Sequence, residues 1–508
     1  MFDTSVRSDP TRTPILSGLY PDPTICRVGD DYFLANSSME FSPGAPVWHS
    51  SDLVRWTQIG NALQANSQFP SGVSKASHGT YAPTLRYRDG LFFLIGTNVD
   101  DAGGGHWLLT SSDASGPWSD PTFIRGIDGI DPDICWDEAG TCLVTYCSWD
   151  NERAGIKQVA IDPASGALLE EPRWVWHGSG LSHPEGPHLY RRGEWWYLVI
   201  AEGGTERGHV VSVARARSPR GPYEGASHNP IFTHRSVRHP VQNIGHADLF
   251  ELADGTWAAV YLGVRVRGGT PRFHVNGRET FLSRIEWIDG WPDFVPFDAA
   301  LPGDLTRISD EFAALPLHPR WVSPGLRPES LMTATDAGMV LNSAESTSGA
   351  PSGLFTRVPA EYWEARFDIS APSGTTRMLL RLDERHWYAL RATSSGVAAI
   401  SRVGDVEAII AQHPLDNARP LPFSLIFRAT PNDAGGPDRI ELRVRQGETA
   451  ITLTTLDGRY LSTEVAGGFT GRVIGLVSDD GHVRVHGFFF EETDPNALED
   501  LHHVEENA

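Results

Sequence analysis

Tyr20-Pro-Asp-Pro-Thr-Ile-Cys-Arg-Val-Gly-Asp-Asp-Tyr-Phe-Leu-Ala-Asn-Ser-Ser38 reads as a turn, a short strand, a Gly-Asp hairpin and a second, more apolar strand. The phrase returns four times with altered wording. The copies are Tyr81-Ala-Pro-Thr-Leu-Arg-Tyr-Arg-Asp-Gly-Leu-Phe-Phe-Leu-Ile95 and Asp131-Pro-Asp-Ile-Cys-Trp-Asp-Glu-Ala-Gly-Thr-Cys-Leu-Val-Thr-Tyr146, then Glu185-Gly-Pro-His-Leu-Tyr-Arg-Arg-Gly-Glu-Trp-Trp-Tyr-Leu-Val-Ile200 and His246-Ala-Asp-Leu-Phe-Glu-Leu-Ala-Asp-Gly-Thr-Trp-Ala-Ala-Val-Tyr261. Counted from Asp22, they open at Ala82, Asp131, Glu185 and His246, at spacings of 60, 49, 54 and 61 residues. Repeated strand meanders of about this length are the mark of a β-propeller, and five copies predict five blades.

In a propeller the first strand of each blade lines the central channel, so equivalent repeat positions converge. The opening positions hold Asp22, Asp131, Glu185 and His246, with Ala82 preceded by Tyr81. The frame is imperfect at one copy: Gly186 is the strict equivalent, and Glu185 stands one residue earlier.

From Pro14 to about Pro296 the chain is strand and turn, punctuated by Gly, Pro, Asp and Asn, without sustained helical periodicity. The expected division is a five-bladed propeller at 1–296, a linker at 297–308, and a second unit at 309–494 ahead of an acidic tail at 495–508. The segment Pro14-Ile-Leu-Ser-Gly-Leu-Tyr20 is expected to pair with the last blade. The second unit lacks the repeat but alternates as β, for example at Glu364-Ala-Arg-Phe-Asp-Ile369, which predicts a β-sandwich. The expected class is therefore all-β, with 508 residues giving room for more than one core.

The net charge of −22, from 42 basic and 64 acidic residues, argues against nucleic acid or an anionic membrane as partner. A homo-oligomer is left open. Cys26, Cys135, Cys142 and Cys147 form no C-x-x-C pair and read as buried free thiols. The first twelve residues hold no apolar stretch of signal-peptide length, and no run is long enough to span a membrane. A cytoplasmic location is the expectation.

A channel carrying several carboxylates suits glycoside hydrolysis. One carboxyl must be protonated to serve the leaving oxygen, another ionised; a separation of about 6.5–9.5 Å admits a water and gives inversion. Each residue also has a structural alternative: Asp22-Pro23 and Asp131-Pro132 as turn formers, Glu185 as a turn acid, His246 as a buried ring. Their shared repeat position favours the site. Glu202 is a rival acid that reads better as a support, and Asp248 is expected to face away from the channel.

Pro14-Ile-Leu-Ser-Gly-Leu-Tyr-Pro-Asp-Pro, Ser50-Ser-Asp-Leu-Val-Arg-Trp, Glu185-Gly-Pro-His-Leu-Tyr, Gly245-His-Ala-Asp-Leu and Gly277-Arg-Glu-Thr resemble glycoside hydrolase family 43, in its two-domain β-xylosidase and α-L-arabinofuranosidase branch. The resemblance implies an inverting exo-hydrolase acting on xylo-oligosaccharides or arabinoxylo-oligosaccharides, with Asp22 as general base, Glu185 as general acid and Asp131 holding and tuning the acid. It implies that Arg278 binds hydroxyls of the terminal sugar, against the alternative of a surface pair with Glu279. No cofactor is required on this reading, although His246 resembles a residue that helps hold a central calcium or sodium ion or a water. Phe469, in Gly467-Gly-Phe-Thr-Gly471, matches an aromatic inserted over the pocket mouth; the alternative is a sandwich core position. Tyr81 and Met39 depart from the branch, which often has tryptophan and another aromatic there, and a smaller wall at Met39 opens the pocket to a furanose. The rival reading is a carbohydrate-binding propeller with a lectin-like sandwich.

Overall fold

The computed structural model describes residues 11–64, 75–149, 154–298, 301, 304–336, 338–344, 350–415 and 422–494. The acidic tail at 495–508, residues 1–10 and four positions of the expected linker lie outside the described residues.

Each repeat phrase forms the first two strands of a four-stranded antiparallel sheet. The first sheet runs Thr24–Val28, Asp31–Ala35, Gly44–Ser50 and Thr57–Leu63, and the second opens with Thr84–Arg88 and Leu91–Thr97. The third opens with Ile130–Trp136, the fourth with Glu185–Arg192 and the fifth with Val241–Glu251. Each first strand lies against the next, and the fifth lies against the first.

The packing follows the same cycle. Ala35 and Val47 of the first sheet share a cluster with Leu85 and Leu94 of the second. Ile95 and Leu108 meet Ile134 and Val144 of the third, whose Ile156 meets Leu189 and Leu198 of the fourth. Tyr197 and Val213 pack on Val241 and Tyr261 of the fifth, and Phe250 and Val260 return to Ile25 and Leu34 of the first. A sheet covered on both faces needs apolar residues at successive positions, not at alternate ones. Trp195–Glu202 is buried along seven of its eight residues for that reason. The Pro14–Tyr20 segment does reach the fifth sheet, as a bridge from Leu16 to Thr280 with Tyr20 N–H donating to Arg278 O at 3.1 Å.

The C-terminal unit stacks two sheets. One begins at Met332–Thr335 and also receives Arg307–Asp310; the other contains six strands from Leu354–Arg357 to Val406–Pro414. Alternation is clean at Trp363–Ile369, where every second residue is buried, and Phe367, Leu380, Phe427 and Phe488 fill the space between the sheets.

The two units are bonded together. Ser323–Pro324 pairs with Phe41–Ser42, and the fully buried Arg381 guanidinium meets Glu40 at 3.3 Å. Glu384 accepts from Ala76 N–H at 2.8 Å.

Candidate active site

Four of the five repeat-opening positions share an unusual backbone. Asp22, Asp131, Gly186 and His246 have φ of 51°, 55°, 56° and 49°, the left-handed region that costs an ordinary residue energy. Register shifts fall beside three of them, between Ile130 and Asp133, Glu185 and His188, and Gly245 and Asp248. A bulge of this kind re-aims a side chain. Here it turns the openings of successive sheets toward one small cavity.

That cavity, of about 110 Å³, is lined by Asp22, Asp131, Glu185, His246 and Arg278, together with Met39, Tyr81 and Phe469. All eight residues singled out from the sequence therefore meet. Ala82, Ile130, Thr205 and His209 complete the lining.

Asp22 is the most firmly held acid. Its carboxylate accepts from Ser37 Oγ at 2.5 Å and from Arg278 Nη1 at 2.8 Å, and His246 Nδ1 stands 3.8 Å away. Burial is the largest influence and would raise its pKa, yet Arg278, His246 and Ser37 together leave it below the ordinary carboxylate value. Glu185 behaves in the opposite way: burial first, and the Asp22 charge second, lift it to about 7 against the pull of Arg278. Asp131 is raised well above the ordinary range by burial, then by Glu185 and Asp22. Its Oδ2 accepts from Gly186 N–H at 3.2 Å, which fixes the backbone next to the acid. Two carboxyls of opposite protonation in one closed site are what acid–base cleavage of an acetal requires.

The offset at Glu185 has a steric cause. A Cβ at Gly186 would stand 2.9 Å from His246 Cε1, so no side chain fits at the strict repeat position, and the acid projects from the residue before it.

Arg278 bonds Asp22 and Thr205, not Glu279, whose carboxylate is taken by Arg265 and by Gly18 N–H. Glu202 lies outside the cavity, fully buried, and accepts from Ser179 Oγ at 2.6 Å and Ser179 N–H at 2.9 Å. It supports the segment leading into Glu185. Phe469 is 39% exposed at the mouth and is not a core residue. Its N–H donates to Ser77 Oγ at 2.8 Å, and its ring meets Tyr81 edge-on at 6.2 Å. A residue of the C-terminal unit thus forms part of the wall.

One lining residue, His209, escapes the repeat logic because it precedes the third strand of the fourth sheet, outside the phrase. Its Nδ1–H donates to Asn243 O at 2.9 Å, burial keeps the ring neutral with a pKa near 4, and Nε2 is buried without a partner among the described residues. Such a nitrogen is a free acceptor on a residue of the cavity lining.

Two residues farther along the strands runs a second tier. Asp248, expected to face away, instead points among the first strands of the other sheets, because the bulge between Gly245 and Asp248 breaks simple alternation along its strand. Arg86 donates to Asp248 Oδ2 at 2.9 Å, Asp133 Oδ1 at 2.8 Å and His188 Nδ1 at 3.1 Å. Asp248 also accepts from Tyr190 Oη at 2.5 Å and Thr24 Oγ1 at 2.8 Å. Burial would raise Asp248, but Arg86 and His188 bring it to about 2.

This tier bears on the central ion that the resemblance attaches to His246. Among the described residues no group of three or more His, Cys, Asp or Glu is arranged to hold a metal. The acids below His246 are already bonded to the Arg86 guanidinium, and burial lowers the His246 pKa to about 4, which leaves its ring neutral, the form that can ligate. His246 therefore offers a metal one ring nitrogen, with no further His, Cys, Asp or Glu arranged about it as a ligand set among the described residues. The four cysteines are all free.

Comparison with known proteins agrees with this arrangement. Residues 11–292 match the family described as Glycosyl hydrolases family 43, and residues 309–487 match the Beta xylosidase C-terminal Concanavalin A-like domain. The chain is 34% identical, over 98% of its length and 97% of the relative's, to a non-reducing end alpha-L-arabinofuranosidase from Bacteroides ovatus. It is 40% identical to a xylosidase/arabinosidase from Butyrivibrio fibrisolvens, over 55% of each chain. The crystal structure of xylan beta-1,4-xylosidase from Bacillus halodurans superposes with a TM-score of 0.85 at 26% identity, covering 94% of this chain and 99% of the other. With both units matched and the acids gathered in one pocket, the chain belongs to glycosyl hydrolases family 43 and is a glycoside hydrolase.

Proposed function

We propose that the five sheets are the blades of a five-bladed propeller at 1–296, joined through 297–308 to a sandwich at 309–494 that closes the mouth of an inverting, exo-acting pentosidase. The observation that carries the mechanism is the opposite tuning of Asp22 and Glu185 in one cavity. Asp22, held ionised, takes a proton from water as that water attacks the anomeric carbon. Glu185, whose pKa of about 7 lets it carry a proton near neutral pH, gives that proton to the leaving oxygen as the glycosidic bond breaks from the other face. Asp131 positions Glu185 through the Gly186 N–H and supplies a neighbouring acid. Arg278 and His209 bind hydroxyls of the terminal sugar. No cofactor enters the reaction.

The cavity of about 110 Å³ is far smaller than the roughly 300–1,000 Å³ of drug-sized pockets. It suits a single small ring, and its closure by Phe469 favours removal of a terminal residue over cleavage within a polymer. The names of the relatives include both xylosidase and arabinofuranosidase. Short hemicellulose oligosaccharides are the proposed substrates, with β-1,4-xylosidase activity first and α-L-arabinofuranosidase activity beside it. Action in the cytoplasm on imported oligosaccharides belongs to this proposal, and cell fractionation tests it.

Proton NMR of a fresh digest of xylobiose mixed with an arabinose-decorated xylo-oligosaccharide tests the reading. Early α-xylose identifies an inverting β-xylosidase, and early β-arabinose moves the activity to arabinofuranosides. Early β-xylose, or release of neither pentose, refutes it.

A further inference from the structure

Next to the catalytic pocket lies a second, much larger cavity of about 1,060 Å³. The segment 203–209 separates the two. Thr205 and His209 line the small pocket, whereas Glu206, Arg207 and Gly208 line the large one. Asn243 faces the large cavity and accepts the His209 hydrogen bond through its carbonyl. Among its other lining residues, His274 and Glu464 are joined at 2.6 Å, so that acid already has a partner. The two cavities share this segment as a common wall, which places the large one beside the pocket proposed to hold the terminal ring.

The charge of this cavity is contrary to that of the chain. Arg207, Arg235 and Arg272 all line it, and none makes an ion pair with a described carboxylate. Glu206 is the one acid of the lining without a described partner. Across a protein of net charge −22, three unpaired guanidiniums around one cavity form a local anion-attracting field. A guanidinium presents a planar pair of N–H donors that matches a carboxylate with two parallel hydrogen bonds. Val237, 55% exposed on the same wall, offers an apolar surface for the C–H face of a sugar ring.

We propose that this cavity is the leaving-group subsite and that it selects an acidic oligosaccharide: Arg207, Arg235 and Arg272 receive the carboxylate of a uronic acid carried beyond the scissile bond. The inference rests on the exo-pentosidase reading, and adds the class of substrate that the enzyme prefers.

The test compares a xylo-oligosaccharide bearing a hexuronic acid on its leaving side with the neutral twin made by reducing that carboxyl. The acidic twin should have a kcat/KM about 10-fold higher at low salt, carried by KM, and 0.5 M NaCl should largely remove the difference, because exposed charges are screened. Arg207→Gln, Arg235→Gln and Arg272→Gln combined should abolish the preference while hydrolysis of a neutral aryl pentoside stays unchanged. These side chains are exposed, so the substitutions should leave the fold intact. Equal kcat/KM for the twins, or a preference that survives the triple substitution, overturns the proposal. Calorimetric binding of both twins to Glu185→Gln reads the cavity without turnover. Tighter binding of the acidic twin there supports the subsite even if the pentosidase reading fails, and equal binding sinks it.

Discussion

Gly186 packs on the imidazole of His246 so closely that a Cβ on the glycine would stand 2.9 Å from Cε1. The glycine also has φ +56°, a conformation that costs a residue with a Cβ roughly 1–2 kcal/mol. Gly186→Ala should therefore displace the ring, strain the Asp131 contact and move Glu185. A fall in kcat of at least about 100-fold is expected, since small misplacements at a reacting centre cost that much. The double variant with His246→Ala should recover part of it. Steady-state kinetics on both variants decide the matter, and an unimpaired Gly186→Ala enzyme would remove the steric explanation of the offset acid.

Glu185 must hold its proton to act, and burial with the Asp22 charge keeps its pKa at about 7. The proton is lost as pH rises, so kcat/KM should decline above about pH 7. In Glu185→Gln that alkaline limb should vanish. Turnover of a xylo-oligosaccharide should drop by roughly 10²–10⁴, with an aryl pentoside of good leaving ability affected much less. Equal losses on both substrates would contradict the acid role.

Asp22 must be ionised, and Arg278 is the strongest of the groups that keep it so. Asp22→Asn should be inactive on every substrate, because no leaving group replaces the attacking water. Replacing Arg278 with Met should raise the Asp22 pKa and move the acid limb of the pH profile to higher pH, beside its effect on sugar binding. A pH–rate profile of Arg278→Met with an unmoved acid limb would show that the pair does not set the base.

His209→Ala removes one neutral acceptor from the pocket wall. A sugar hydroxyl bond of ordinary strength is worth about 1 kcal/mol, so kcat/KM should fall by roughly 5- to 10-fold with the shape of the pH profile unchanged. A loss of several thousand-fold, or an altered alkaline limb, would mean that His209 takes part in proton transfer.

Arg86 is the counter-charge to two fully buried acids, Asp133 and Asp248. Arg86→Met strands both, and removal of one partner from a buried ionic group costs about 3–5 kcal/mol. The variant should melt at markedly lower temperature. The unaltered enzyme should keep its full rate after treatment with a strong chelator. A rate that falls with chelator and returns with calcium would restore the metal at His246.

The recurrence of one phrase made most of this architecture readable, because each copy supplies the hairpin that begins a sheet. It also brought Asp22, Asp131 and His246 together, since equivalent strand positions converge on one cavity. What it concealed were consequences of tertiary contact. Gly186 takes the place of an acid because a ring from another sheet fills the space above it. The facing of Asp248 is set by the bulge between Gly245 and Asp248, which a count along the sequence does not see. His209 belongs to no repeat phrase, and nothing in its local sequence marks it as a pocket residue. Arg86 is an ordinary strand arginine until Asp133, His188 and Asp248, from three other sheets, surround it.

The Phe469 wall has a consequence for how the enzyme is made. Asp22, Asp131, Glu185 and Arg278 all precede residue 280, whereas Phe469 is anchored to Ser77 from nearly 400 residues downstream. Domains emerge from the ribosome in order, so all four residues are synthesised well before the residue that walls the mouth. The pocket is finished only when the last strands of the second unit have been synthesised and docked. A chain that ended short of Phe469 would carry all four residues and lack that wall.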